Sequence, residues 1–389
     1  MNFPCYAHHI CLVSEQTLPN YLGAIVPGAS PKKLHLVVTA RMNERANILE
    51  KALRQWGCDV EQYPLAAPQP DAMMEVLDVI YEKTGTDVAI NVTGGTKIMA
   101  LTAVEWANIQ DERPFLFYVD TDSKRILQIG GKQEQFQLNM ALKLKELLKV
   151  GTGADIFAQD NSALSVKERD SLEQLLQTFL QNKTALRLFN KCAKDAEDNL
   201  YTKIPYKCPL EFSRAISIAQ KAGKLHVTSD EIMYESEEAR FWCNGGWLEE
   251  FVKAKLYGMK GCGLIDDWAS NIEIFKEQKS SAKNIRRSPN PQNELDAAFT
   301  VDNRFFVIEC KTANLEKHGG VSTASYKLDS LRKNLGGVLS RGMIVSVSVN
   351  DPRPEDIQRC KDLRIELLYG ANVLKLEEKL KSWIQDANR

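Results

Sequence analysis

"NELDAAFTVDNRFFVIECKT", residues 293–312, holds two β-prone runs on either side of Asp302–Asn303, a pair suited to a tight hairpin turn. If those two residues form the loop, Val301 faces Arg304 and Asp296 lies directly opposite Glu309, with Cβ atoms roughly 4.5–5.5 Å apart. Lys311 shares that face, because side chains alternate across a strand. The other face carries Leu295, Ala297, Phe299, Phe306, Ile308 and Cys310 and reads as core. Two acids and an ammonium on strands that otherwise read as buried need something there that uses them. Facing carboxylates repel, and a divalent cation between them reverses the sign. Mg²⁺ or Mn²⁺ takes carboxylate oxygens, usually one or two from protein, with water and phosphate completing the shell. The Cys310 backbone carbonyl, next to Glu309, is a further candidate ligand. Lys311 is then placed to orient the attacking water or to stabilise charge on a phosphorane-like transition state. The plainer reading is a surface hairpin whose lysine screens two acids.

"ELD" followed by "VIECK" resembles the PD-(D/E)xK nuclease core found in restriction enzymes and junction resolvases. The resemblance implies that Asp296 and Glu309 bind metal and that Lys311 assists the attacking water. Leu295 stands where the family's name has Pro. The family often adds a Glu on a preceding helix, and "GGWLEEFVKAKLYGM" (245–259) supplies a candidate. Its apolar positions Trp247, Leu248, Phe251, Val252 and Leu256 follow a helical period. Glu249 borders that stripe and is assigned to the active site; Glu250 points away from it and is expected in solvent.

The 389 residues allow two or three domains, and 44% hydrophobic content allows sizeable cores. A net charge of −1 excludes a global basic field, so nucleic-acid contact must be local. Basic residues flank the hairpin: Lys279, Lys283, Arg286 and Arg287 before it, Lys327, Arg332 and Lys333 after it. Nine cysteines without a CxxC pair fit reduced thiols, and five histidines show no zinc spacing. No signal-like or membrane-spanning run is found, so a cytoplasmic protein is expected.

Residues 1–150 alternate strand-like and helix-like segments, including "HHICLVS" (8–14), "KLHLVVTA" (33–40) and "TDVAINV" (86–92). This argues for an α/β fold, a mostly parallel sheet with helices on both faces and ligands at the carboxyl ends of strands. "NVTGGTK" (91–97) sits at such an end. Gly94 and Gly95 permit close backbone approach, the helix start favours phosphate, Thr93 and Thr96 add hydroxyls, and Lys97 adds charge. The spacing is neither a Walker A loop nor the dinucleotide fingerprint. A plain strand-to-helix turn is the competing reading.

A strand followed by N-x-T-G-G-T-K and a helix resembles the CRISPR-associated Rossmann-fold (CARF) sensor domains. That resemblance implies a homodimer binding a cyclic oligoadenylate, of four adenylates by analogy, across its two-fold axis. The matching ligand-binding positions are Asn91, Thr93, Gly94, Gly95, Thr96 and Lys97. The loop after the first strand adds Ser14, Glu15 and Gln16, and the loop after the second adds Thr39. Residues 151–235 read as a polar linker, "GTGADIFAQDNS" (151–162), and a helical connector, favoured over a winged-helix-like module because the basic recognition pattern is weak. Residues 236–389 complete a restriction-endonuclease-like α/β domain. The expectation is a metal-dependent nuclease of DNA, RNA or both, switched on by the cyclic nucleotide in antiviral defence. The rivals are a nucleotide-sensing transcription regulator with a degenerate nuclease fold, and a phosphodiesterase that destroys the messenger.

Overall fold

The computed structural model describes residues 3–276, 293–312, 320–336, 340–348 and 350–387. The chain divides into two compact units, one built mainly from residues 1–155 and the other mainly from residues 156–389.

In the first unit, strands β1 (His8–Leu12), β2 (Lys33–Thr39), β3 (Asp59–Leu65), β4 (Val88–Asn91) and β5 (Phe115–Asp120) pair in parallel in the order β3-β2-β1-β4-β5. Strands β6 (Arg125–Gln128) and β7 (Gln135–Gln137) extend the sheet antiparallel. β1 and β4 are short apolar runs buried almost throughout, as expected for central parallel strands. Five helices follow the strands: α1 (Leu18–Ile25), α2 (Asn43–Gln55), α3 (Pro70–Thr84), α4 (Lys97–Ile109) and α5 (Leu144–Thr152). α3 packs on α4, whereas α1, α2 and α5 pack on one another, giving two helical groups for the expected doubly wound sheet. The strand order reverses between β1 and β4. The loops at their carboxyl ends therefore flank the crevice where such sheets take ligands.

The second unit holds a six-stranded sheet in the order β16-β15-β14-β13-β12-β8. Its edge strand β8 (Ala154–Asp160) corrects the linker reading of 151–162. Ala154 and Ile156 are buried, and Ser270 Oγ donates to the Asp160 carbonyl at 3.1 Å. Next come α6 (Val166–Gln181), α7 (Lys183–Asp195), β9 (Tyr201–Lys203), α8 (Leu210–Lys221), β10 (Leu225–Val227) and β11 (Glu231–Tyr234). Their strands form a small antiparallel sheet, β10-β11-β9, so the stretch expected as a helical connector carries three short strands beside its three helices. Leu175, Phe179 and Phe189 of these helices belong to the same apolar cluster as Trp247, Phe299 and Trp383.

After α9 (Glu237–Phe241) and a wide helical turn, α10 (Trp247–Gly261) buries Trp247, Leu248, Phe251, Val252 and Leu256, the expected stripe. β12 (Asp267–Lys276), β13 (Asn293–Val301) and β14 (Arg304–Lys311) are antiparallel neighbours. Helix α11 (Gly320–Gly336), β15 (Arg341–Ser346), α12 (Pro354–Asp362), β16 (Ile365–Tyr369) and α13 (Leu376–Ala387) complete the unit, β15 and β16 running parallel to β14. Phe299 stacks on Phe306 at 4.6 Å, and Trp383 meets Phe306 edge-on at 4.9 Å. Among the described residues no helix is long and apolar enough to cross a membrane.

Candidate functional site

The hairpin turns where its sequence demands. Asp302 and Asn303 adopt φ of 53° and 62°, the left-handed pair of a two-residue turn. Asp266 Oδ2 accepts from the Asp302 N–H at 2.6 Å and pins the loop. The register runs from Val301 opposite Arg304 to Ala297 opposite Ile308, so its next step sets Asp296 against Glu309. Asp296 Oδ2 accepts from the Cys310 N–H at 2.6 Å.

Glu309 is 1% exposed. Its Oε1 lies 2.6 Å from Lys311 Nζ and 3.2 Å from Lys327 Nζ, whereas its Oε2 is buried without a hydrogen-bond partner. An unpaired buried carboxylate oxygen is costly and fits a cation. Burial and the facing Glu309 push the Asp296 carboxyl far above its ordinary range, against the Cys310 N–H, which favours the charged form. Burial works against the Lys311 charge, but Glu309 and Asp296 outweigh it and hold its pKa above the ordinary lysine value.

Helix α10 delivers Glu249. Gly245 (φ +123°) lets the chain pass so close to Thr312 that a Cβ there would lie 2.2 Å from its hydroxyl oxygen. The start of α10 is thereby held against the end of β14. Burial, then the charges of Asp296, Glu294 and Glu309, push the Glu249 carboxyl up to about 8, with Lys311 opposing. Glu249 thus joins the acid cluster. Glu250 does not point to solvent as expected: it is partly buried, 3.5 Å from Lys253 Nζ. Lys253 is itself buried and reaches Asp160 Oδ2 at 2.5 Å and Ser162 Oγ at 3.0 Å. A cleft of about 390 Å³ opens beside Glu249, lined also by Lys224, Phe241, Trp242 and Ser270.

Among the described residues, no three His, Cys, Asp or Glu side chains enclose a metal by themselves. Asp296 and Glu309 can still hold a hard cation that keeps most of its waters. The Cys310 thiol packs in the core, where burial raises its pKa, so only its carbonyl could join them.

In the first unit, Gly94 is required by contact: a Cβ there would lie 1.9 Å from the Leu12 carbonyl oxygen at the end of β1. Gly95 has φ +74°. Asn91 is buried, accepting from the Thr93 N–H and hydroxyl at 3.0 and 2.6 Å and donating to the Pro19 carbonyl. Thr93 Oγ1 also accepts from the Val119 N–H at 2.7 Å. The side chains of Asn91 and Thr93 therefore shape the loop. Thr96 caps α4, its hydroxyl accepting from the Met99 N–H at 3.2 Å. Lys97 is exposed at the first position of α4. In the β1 loop, the Ser14 hydroxyl donates to the Gln16 carbonyl and Glu15 pairs with Arg45 at 3.1 Å. Gln16 is exposed, and Thr39 ends β2 one strand away.

The Card1 CARF domain family matches residues 8–147, and the Card1-like endonuclease domain family matches residues 236–387. The chain joins a Card1 CARF domain to a Card1-like endonuclease domain. Three solved structures share its fold. VC1899 from Vibrio cholerae is 21% identical and aligned over 98% of both chains, with a TM-score of 0.81. Can2 from Sulfobacillus thermosulfidooxidans, solved with cyclic tetra-adenylate, is 24% identical over 98% of this chain and 99% of that one, TM-score 0.78. A type III CRISPR defence DNA nuclease activated by cyclic oligoadenylate is 16% identical over 91% of this chain and 51% of its own, TM-score 0.50. No curated protein matches the chain.

The endonuclease domain gathers Asp296, Glu309, Lys311 and Glu249 in one cluster. Sequence reasoning placed Lys327 only in a basic stretch and missed its contact with Glu309; it sits on a helix 18 residues on, and no strand alternation points to it. The CARF domain sets the TGGTK and Ser14 loops at neighbouring strand ends. Lys279, Lys283, Arg286 and Arg287, and the side chains of Arg332 and Lys333, lie outside the described residues.

Proposed function

We propose that this chain is a divalent-metal-dependent nuclease, acting on DNA, RNA or both and switched on by a cyclic oligoadenylate in type III CRISPR antiviral defence. The observation that carries the metal-dependent chemistry is Glu309, buried beside Asp296 with one carboxylate oxygen left unpartnered. Asp296, Glu309 and the Cys310 carbonyl would hold Mg²⁺ or Mn²⁺. The ion, when bound, supplies Lewis-acid polarisation of the phosphate and acidifies water. Lys311 orients the attacking water and offsets charge that develops on the phosphate. Glu249 stands at the rim of the same cluster and orders its water.

The activator reading rests on the CARF domain and on the cyclic tetra-adenylate bound to Can2. Lys97 and the free N–H groups at the start of α4 offer charge and dipole to phosphate. α4 also exposes Ile98 (49%) and Leu101 (70%) beside Lys97, apolar surface that a two-fold homodimer would cover. In that dimer each messenger meets two copies of the TGGTK loop. A cytoplasmic location fits nine free thiols.

The test is incubation of purified protein with cyclic oligoadenylates of different ring size, supercoiled plasmid, and labelled DNA and RNA strands, with Mn²⁺ or with chelator. Cleavage requiring both Mn²⁺ and one ring supports the reading. Cleavage in chelator, or none with any ring, overturns it. Linear products of the ring formed by a Glu309→Ala variant would instead identify a phosphodiesterase.

A further inference from the structure

Two ammonium groups share one oxygen in the endonuclease domain. Lys311 Nζ and Lys327 Nζ lie 2.6 and 3.2 Å from Glu309 Oε1, while Oε2 has no partner. Both ammonium groups also act on the facing carboxylate of Asp296, so two lysines balance two acids in the metal-free site.

The two lysines are held differently. Lys311 belongs to β14, and its backbone is locked in the sheet, its carbonyl accepting from the Val347 N–H at 2.9 Å. Lys327 comes from α11, whose Val321, Ala324, Leu328 and Leu331 face inward. Its side chain is 48% exposed. Lys327 can therefore swing away from Glu309 without disturbing the core, and Lys311 has far less freedom.

A divalent cation on Asp296 and Glu309 changes the charge balance. It replaces the second ammonium as counter-charge, and it repels an ammonium a few ångströms away. Lys327 is the group free to leave. A phosphodiester entering the site brings negative charge to the same place, and a lysine is a compact point charge suited to a phosphate oxygen.

We infer that Lys327 is a phosphate-binding residue held in reserve: it neutralises Glu309 in the metal-free site and turns to the scissile phosphate once the cation is seated. The inference rests on the metal-dependent nuclease reading. It requires that loss of the charge at 327 move two affinities in opposite directions. A residue that merely screens a surface acid would not weaken substrate, and a structural residue would not tighten metal.

The experiment uses the full-length chain, its Lys327→Gln and Lys327→Arg variants, Mn²⁺ titrated by electron paramagnetic resonance in the absence of nucleic acid, and steady-state cleavage of a labelled oligonucleotide with activator. Lys327→Gln is expected to bind Mn²⁺ several-fold more tightly and to show KM raised about tenfold, with kcat less affected. Lys327→Arg keeps the charge and is expected to restore KM to within about threefold of wild type. Unchanged or weaker Mn²⁺ binding in Lys327→Gln, or an unchanged KM, overturns the inference while wild-type metal binding and cleavage leave the nuclease reading standing. A wild type that neither binds Mn²⁺ nor cleaves overturns that reading and this inference together.

Discussion

The Cys310 N–H donates to Asp296 Oδ2 across 2.6 Å, so the backbone that precedes Lys311 aims one carboxylate of the candidate site at the strand that carries the other. The contact joins residues on facing strands of one hairpin, and it explains why Asp296 cannot escape Glu309 by rotating outward. The repulsion is built into the hairpin, and a cation bound there would relieve it.

Glu309→Ala and Lys311→Ala are expected to lower the cleavage rate by at least ~10²–10³, the scale of one lost electrostatic stabiliser. Binding of the cyclic nucleotide should be unaffected, since the proposed reader is the CARF domain. Cleavage assays with equilibrium binding on the same preparations check both halves. Full metal-dependent activity in Glu309→Ala would sink the assignment.

Glu249→Gln should impair cleavage much more than Glu250→Gln, because the field of Asp296 and Glu309 reaches Glu249, whereas Glu250 pairs with Lys253. Glu250→Gln should instead act on stability, by about 1 kcal/mol or less while Asp160 still neutralises Lys253. Rate constants and melting temperatures of the pair separate the two. Equal loss of activity would show that the helix phase was misassigned.

The pH dependence of metal-free stability follows from the raised carboxyls. Burial pushes the Glu249 carboxyl up to about 8, and the Asp296 carboxyl is also raised. Both ionise near pH 4 once unfolded. Across that window the fold binds more protons than the unfolded chain, so stability falls as pH rises from about 4 to 8 and then levels off. Mn²⁺ or Mg²⁺ should stabilise the protein, and more at pH 8 than at pH 6. Melting curves with and without the cation at both values test this; a cation effect independent of pH would count against it.

Lys97→Ala and Gly94→Ala should part company in the CARF domain. Lys97 is exposed, so its loss should leave the melting temperature unchanged and shift the activation midpoint to more ligand, by a contact worth roughly 1.5–3 kcal/mol per copy. Gly94→Ala drives a methyl into the Leu12 carbonyl and should lower stability first. An unchanged midpoint in Lys97→Ala would make the TGGTK segment a structural turn only.

Much of the site was legible because its determinants are local. Asp302–Asn303 tolerate the left-handed turn, the two-residue loop sets the register, and strict alternation then brings Asp296, Glu309 and Lys311 to one face. The β-α-β alternation up to residue 150 likewise announces the doubly wound sheet, and the period of α10 finds Glu249. Packing between distant segments decided the rest. Ala154–Asp160 lacks a strong strand pattern and becomes a strand at the sheet edge beside β12. Asn91 and Thr93 hydrogen-bond to Pro19 and Val119, partners that no local pattern names. Lys253 meets Asp160 across 93 positions, and Lys327 reaches Glu309 from helix α11. A turn or a helical period depends on neighbours within a few residues, whereas the partner of a long side chain depends on which surfaces the collapsed chain brings together.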